Sequence, residues 1–319
     1  MSPQPIIWRL LLALWVLIPG TPGPSFAQQK ADVSLPWVTP AAPAPRVLQR
    51  VLQSATVGAP VSYHVYLPRA YETNPDRLPG LYWLHGTEGG IAGIAPLSRL
   101  FDEAIEAGRY PPMIVVFVNG LPRRLWADSK DGASPVETVF INEVIPDVDR
   151  QFRTIATRQG RIIEGFSMGG YGAARLGLRH PNLFAGVSIL AGGPMDLEFQ
   201  GPRALLNPRL REQILREVCG GDLAYFQTIS PWMAAESAAP KLPADPLVIR
   251  QAIGVRDDTL ELTRRYRDRL KQLQIEHDYT EVPGVGHEPL ALIRGLGEAN
   301  GRFYRRALYS EAVRQSVAR

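Results

Sequence analysis

Met113-Ile114-Val115-Val116-Phe117-Val118 is an unbroken apolar run, and it constrains the fold more than any other stretch of this sequence. A strand with one face in water alternates apolar and polar residues. A strand that is apolar throughout must be covered on both faces, as in parallel sheets flanked by helices. Further runs bounded by Gly, Pro or Asn predict strands at residues 62–67, 80–84, 161–163, 186–190, 247–253 and 278–282. Helical periodicity falls between them, at 97–107, 136–152, 168–179, 259–274 and 291–308. Strands alternating with helices predict an α/β fold, with a mostly parallel central sheet and helices on both faces. Residues 194–246 break this rhythm with turns and short helical patterns just before the penultimate strand, and read as an insertion that forms a lid or pocket wall. At 319 residues the chain suits one large domain, taken as 47–319.

The N-terminus reads as a targeting segment. Arg9 precedes an apolar run over residues 10–18, then come Pro19-Gly20 and the small-x-small site Ser25-Phe26-Ala27. Residues 1–27 are therefore expected to be a signal peptide, with a retained anchor as the alternative, and the mature protein to be periplasmic or secreted without an integral membrane segment. Pro/Ala-rich residues 28–46 read as an extended linker. Cys219 is the only cysteine, so stability must come from the core rather than from disulfides. A formal charge of +4, with four lysines and scattered arginines, forms no basic stripe and excludes a nucleic-acid partner.

Parallel sheets gather function at the C-terminal ends of their strands, which sorts the chemistry-bearing residues. Gly165-Phe166-Ser167-Met168-Gly169 lies where an apolar strand gives way to a helix. In G-x-S-x-G the serine occupies a strained turn that lifts its hydroxyl clear of the sheet, and the neighbours two positions away must be small. The Met168 N–H, at the positive end of the new helix, then suits a developing oxyanion.

A serine nucleophile needs an imidazole base and a carboxylate to orient that base. His180 ends the helix that Met168 begins, about 18 Å from the serine. His64 reads as a packed strand residue. His277 starts the last strand, at the wrong end of the sheet by about 20 Å. His287, in the Gly-rich loop "VPGVGHEP" after that strand, is the base by position. Asp245 and Asp278 precede strands, whereas Asp257 and Asp258 follow one at the correct end. Asp258 with Glu261 resembles a helix capping box, which leaves Asp257 to face the histidine. The loop "LHGTEGG" supplies a second oxyanion donor, assigned to the Thr87 N–H with Gly86 beside it, and His85 reads as a loop-shaping side chain bonded to nearby backbone. Trp126 and Asp128, after the strand ending at Val118, are expected to overhang the pocket and touch substrate, with Arg123 or Arg124 meeting an acidic group; the alternative is a solvated basic turn around one packed tryptophan. Trp232, Tyr225 and Phe226 read as core.

The stretches "LHGTEGG", "SKDGASPVETVFINEVIPDVDRQFRT", "GFSMGGYGAARLGLRHPNLFAG", "GVRDD" and "VPGVGHE" together resemble the esterase D-like branch of the α/β-hydrolases. That branch includes feruloyl esterases, S-formylglutathione hydrolases, siderophore esterases and the antigen 85 mycolyltransferases. The resemblance runs over about residues 63–304. It implies the α/β-hydrolase fold, with Ser167 as nucleophile, His287 as base, Asp257 as acid, and Met168 and Thr87 as oxyanion donors. It further implies a serine carboxylic-ester hydrolase acting on small or glycan-linked acyl esters, without cofactor or metal. Acyl transfer on the same scaffold is the alternative, and a non-catalytic surface-binding protein a third. The loop "GLPRRLWADSKDG" lacks the Trp-Tyr pair that many feruloyl esterases carry nearby.

Overall fold

Eight strands form a single sheet among the residues described by a computed structural model, 35–192, 208–242 and 247–309. They are β1 (Val47–Gln53), β2 (Pro60–Tyr66), β3 (Gly80–Leu84), β4 (Ile114–Val118), β5 (Arg161–Phe166), β6 (Gly186–Leu190), β7 (Val248–Gly254) and β8 (Asp278–Val282). The order across the sheet is β1-β2-β4-β3-β5-β6-β7-β8. β1 pairs antiparallel with β2, and β2 antiparallel with β4; every pairing from β4 to β8 is parallel. The expected signal segment lies outside the described residues, and no helix among those described is long and apolar enough to cross a membrane.

The reason for the apolar run in β4 is visible in the packing. Ile114, Val116 and Val118 join the apolar cluster on one face of the sheet, whereas Val115 and Phe117 join the cluster on the other. β3 divides the same way, Tyr82 and Leu84 against Leu81 and Trp83. One face is covered by α3 (Val136–Val139), α4 (Ile145–Gln151), α5 (Met168–Arg179), α8 (Pro231–Ala238) and α9 (Leu260–Gln272). The other is covered by α2 (Ile91–Glu106), α10 (Pro289–Leu296) and α11 (Glu298–Leu308). A further short helix, α1 (Arg69–Thr73), links β2 to β3.

Several boundaries differ from the sequence reading, each for a local reason. β1 was not expected: its apolar residues Val47, Leu48, Val51 and Leu52 do not alternate, because no position of this edge strand is fully buried and neither face demands a continuous apolar row. The expected helix 291–308 is two helices broken at Gly297, whose φ of 51° belongs to the left-handed region. α2 begins at Ile91 rather than after Pro96, which lies inside the helix and leaves the Ala92 carbonyl without its usual N–H donor from position 96. The expected helix 136–152 contains a π-helical turn over Phe140–Val144 immediately before Pro146, where a wider turn makes room for the proline ring.

Residues 35–46, within the stretch expected as a linker, are extended but packed. Trp37 is buried, the Ser62 N–H donates to its carbonyl at 2.8 Å, and Asn119 donates its amide to the carbonyls of Pro36 and Trp37. The described part of the insertion contributes α6 (Pro208–Cys219), α7 (Leu223–Thr228) and α8. It is tied to the loop after β4: Arg124 pairs with Glu217, Lys130 with Asp222 at 2.5 Å, and Tyr225 donates to the Asp128 carbonyl at 3.0 Å. Residues 193–207 and 243–246 of that insertion lie outside the described residues.

Glu137 on α3 ties that helix to α5. Its carboxylate accepts from Arg175 at 2.5 Å, Arg179 at 2.8 Å and His180 at 2.7 Å. Burial disfavours charge on Glu137, but the His180 hydrogen bond and the two guanidinium groups outweigh it and bring the carboxyl down to about 2. A carboxyl whose folded pKa is depressed contributes stability that is complete above its unfolded value and lost as pH falls through the folded one. Glu137 should thus contribute about 3 kcal/mol at neutral pH, fading between 4.5 and about 2. Thermal melts should show a lower Tm for Glu137→Gln at pH 7, converging on the parent curve in acid. Parallel curves across that window would refute the assignment.

Candidate active site

Phe166 ends β5 near the middle of the sheet, and Met168 begins α5, so Ser167 alone makes the turn. Its φ of 59° and ψ of −123° are strained for a residue with a side chain. The turn is held by the Ser167 N–H donating to the Leu190 carbonyl and by Tyr171 N–H donating to the Ser167 carbonyl, both at 3.0 Å. A Cβ on Gly165 would overlap the Gly169 carbonyl, and one on Gly169 the Leu84 carbonyl. The two glycines of the motif therefore answer to backbone contact.

His287 follows β8 and Asp257 follows β7. Their loops are knitted together by the Val255 N–H to the Val282 carbonyl at 2.9 Å and the Arg256 N–H to the Val285 carbonyl at 2.8 Å. A Cβ on Gly254 would strike that Val285 carbonyl, so close approach of the two loops depends on glycine there. His287 Nε2 lies 2.9 Å from Ser167 Oγ, and His287 Nδ1 lies 2.8 Å from Asp257 Oδ2. The Phe166 ring supports the imidazole at 4.7 Å between centroids.

Asp257 is buried, and its second oxygen accepts from the Thr259 N–H and hydroxyl, each at 2.8 Å. Burial works to raise this carboxyl, but the hydrogen bond and charge of His287 and the Thr259 donors prevail and hold it below the usual carboxylate range. An ionised Asp257 can only accept, so the Nδ1 of a neutral His287 carries the proton and Nε2 is left to accept from the serine hydroxyl. The expected capping box is absent. Asp258 is exposed, Glu261 pairs instead with Arg264, and Asp257 itself bonds Thr259, the residue that precedes α9.

The Met168 and Thr87 N–H groups have no hydrogen-bond acceptor among the described residues. Thr87 is next to Gly86, whose Cβ, if present, would stand 3.6 Å from Ser167 Cβ. The Thr87 loop is braced by His85: its Nδ1 faces the Gly86 carbonyl at 2.7 Å and its Nε2 accepts from the Gly120 N–H at 3.0 Å. Burial pushes the His85 imidazole down to about 4, which keeps it in the neutral form those two partners require. A bond to nearby backbone was expected, and Gly86 supplies it; the bond to Gly120 was not, because nothing local in the sequence shows that the loop after β4 reaches back to this histidine.

Two expected substrate contacts need correction. Trp126 is 0% exposed, its ring filling the space left by Gly120 and Gly172, and its indole N–H donates to the His85 carbonyl at 3.1 Å. Asp128 turns inward and accepts from the Thr138 N–H at 3.0 Å and hydroxyl at 2.6 Å. Both support the rim from beneath. The remaining histidines are engaged elsewhere: His64 with the Pro40 carbonyl, His180 with Glu137, and His277 with the Ile275 carbonyl. Phe226 is buried, and Trp232 packs on the Tyr266 ring at 6.0 Å, as core residues do.

Comparison with known proteins bears on the family and the fold. The chain is 33% identical over 171 residues to an endo-1,4-beta-xylanase/feruloyl esterase of Xylanibacter ruminicola, covering 50% of this chain and 23% of the relative. It is 28% identical over 265 residues to an esterase of Mycobacterium tuberculosis, covering 76% of this chain and 56% of the relative. The chain thus spans a quarter to just over half the length of these curated relatives. Among solved structures, a ferulic acid esterase superimposes with a TM-score of 0.67 at 23% identity, covering 82% of this chain and 98% of the other; the fold is that of the α/β-hydrolases. Residues 54–288 match the family described as "Putative esterase". The chain belongs to that esterase family.

Proposed function

We propose that the protein is a serine carboxylic-ester hydrolase in which Ser167, His287 and Asp257 act as nucleophile, base and orienting acid. The observation that carries this reading is the unbroken line of contacts from Asp257 Oδ2 to His287 Nδ1 and from His287 Nε2 to Ser167 Oγ, at 2.8 and 2.9 Å. Ser167 Oγ attacks the ester carbonyl carbon while His287 Nε2 takes its proton. The negative charge that develops on the carbonyl oxygen is received by the N–H groups of Met168 and Thr87. As the carbon–oxygen bond of the leaving alcohol breaks, His287 returns the proton to that alcohol. Water, deprotonated by the same imidazole, then attacks the acyl-serine, and the acid departs as Ser167 regains its proton. The 33%-identical relative, named an endo-1,4-beta-xylanase/feruloyl esterase, directs the substrate reading towards acyl groups carried on glycans.

The test is chemical. A fluorophosphonate should label Ser167, and mixing with a 4-nitrophenyl ester should release a burst of one nitrophenol per protein with the acyl mass found on the Ser167 peptide. Absence of both labelling and turnover would reject the proposal. Formation of a new ester when a saccharide acceptor is present would assign acyl transfer instead of hydrolysis.

A further inference from the structure

We propose that Arg123 is a specificity residue that pairs with a carboxylate carried by the ester substrate; this rests on the esterase reading above. Arg123 belongs to the loop that leaves the C-terminal end of β4, the same rim of the sheet from which Ser167 rises. Its backbone N–H donates to the Thr87 carbonyl at 3.0 Å, and Thr87 adjoins Gly86 at the serine. The side of Pro122 lies 3.7 Å from where a Cβ on Gly89 would stand, so the two loops run against each other.

This loop is held in an uncommon conformation. Leu121, Arg123, Leu125 and Trp126 all have positive φ, between 52° and 59°, although none is glycine or asparagine. The surroundings enforce it: Trp126 is buried beneath, His85 bonds Gly120, and Thr87 bonds Arg123. Backbone of this kind clusters at ligand sites, where the fold fixes a side chain that a relaxed turn would not present.

The charge arrangement singles out Arg123 from its neighbour. Arg124 is paired with Glu217 of α6, and the other oxygen of Glu217 accepts from Gln213 at 2.6 Å. Lys130, farther along the loop, is matched by Asp222. Arg123 contributes to the positive field that keeps the Glu217 carboxyl low, yet its guanidinium makes no ion pair or hydrogen bond among the described residues; its Nε is buried without a partner, as is that of Arg124. Glu88, the next residue of the Thr87 loop, is exposed and pairs with no cation among the described residues. Two guanidinium groups thus share the field of one carboxylate, and Arg123 is the one of the two that holds no ion-pair partner among the described residues. A planar guanidinium with free donors fits a carboxylate in two parallel hydrogen bonds, which a neutral ester lacks.

Two pairs of probes read the proposal. 4-Nitrophenyl hemisuccinate against 4-nitrophenyl butyrate places the charge on the acyl side. 3-Carboxyphenyl butyrate against 3-carbamoylphenyl butyrate places it on the alcohol side. The native protein should prefer the charged member of at least one pair in kcat/KM. Arg123→Asn, which suits a positive φ, should lower that charged-to-neutral ratio by about tenfold or more. Arg123→Lys should restore part of the ratio, and Arg124→Asn should retain it. No charge preference in either pair, or equal losses in the Arg123 and Arg124 variants, overturns the proposal while turnover of the neutral esters leaves the esterase reading standing. No turnover of any of the four, together with no fluorophosphonate labelling, rejects the parent reading and this one with it.

Discussion

Ser167→Ala is expected to lower kcat on a 4-nitrophenyl ester by up to about 10⁶-fold, with any residual rate coming from binding and the oxyanion donors alone. The size of the loss follows from the division of labour. Without Oγ, His287 has no hydroxyl to deprotonate and the acyl-serine cannot form, so both half-reactions lose their path. The variant is also a clean one. Ser167 is held by its backbone N–H and carbonyl and by the backbone contacts of Gly165 and Gly169, none of which involves Oγ. Alanine keeps the Cβ, so the strained φ of 59° is neither relieved nor worsened. Tm should therefore stay within about 0.5 kcal/mol of the parent in equivalent stability. Retention of more than a small fraction of native activity by a folded Ser167→Ala protein would sink the mechanism.

How much of this was legible beforehand depends on whether the information is local. The two-sided burial of β4 is written into consecutive residues, so the sheet and its order of strand and helix could be read. So could the chain order of serine, acid and histidine, because each follows a strand at the same rim and position along the chain suffices to place it. Depth is not local. Trp126 looked like a pocket residue because it follows a strand end, but Gly120 and Gly172 leave room for its ring underneath the loop. Asp128 looked free because its acceptor role towards Thr138 depends on how α3 begins. β1 lacked alternation because neither of its faces is fully covered. The same limit explains Arg123 and Arg124, equivalent in sequence and separated only by Glu217 on a helix 93 positions away.

The choice between the two adjacent aspartates is also settled by environment, and it carries the second large effect. Asp257→Asn is expected to cost about 10⁴ in kcat, whereas Asp258→Asn should change it little. One oxygen of Asp257 is committed to Thr259, so an asparagine there would keep its carbonyl towards the Thr259 donors and turn its NH₂ towards His287 Nδ1. An NH₂ can only donate, so Nδ1 would have to accept and the imidazole proton would move to Nε2. The histidine would then point a donor at Ser167 Oγ, where the reaction needs an acceptor. The charge that favours the imidazolium formed during attack would be lost as well. Stability gives an independent check with a definite sign. Because the folded carboxyl is held below its usual range, its contribution is complete above the unfolded pKa and disappears as pH falls through the folded value, so the Tm of the native protein should drop more steeply in acid than that of Asp257→Asn. A larger kinetic loss from Asp258→Asn than from Asp257→Asn would reassign the acid and break the line of contacts on which the mechanism stands.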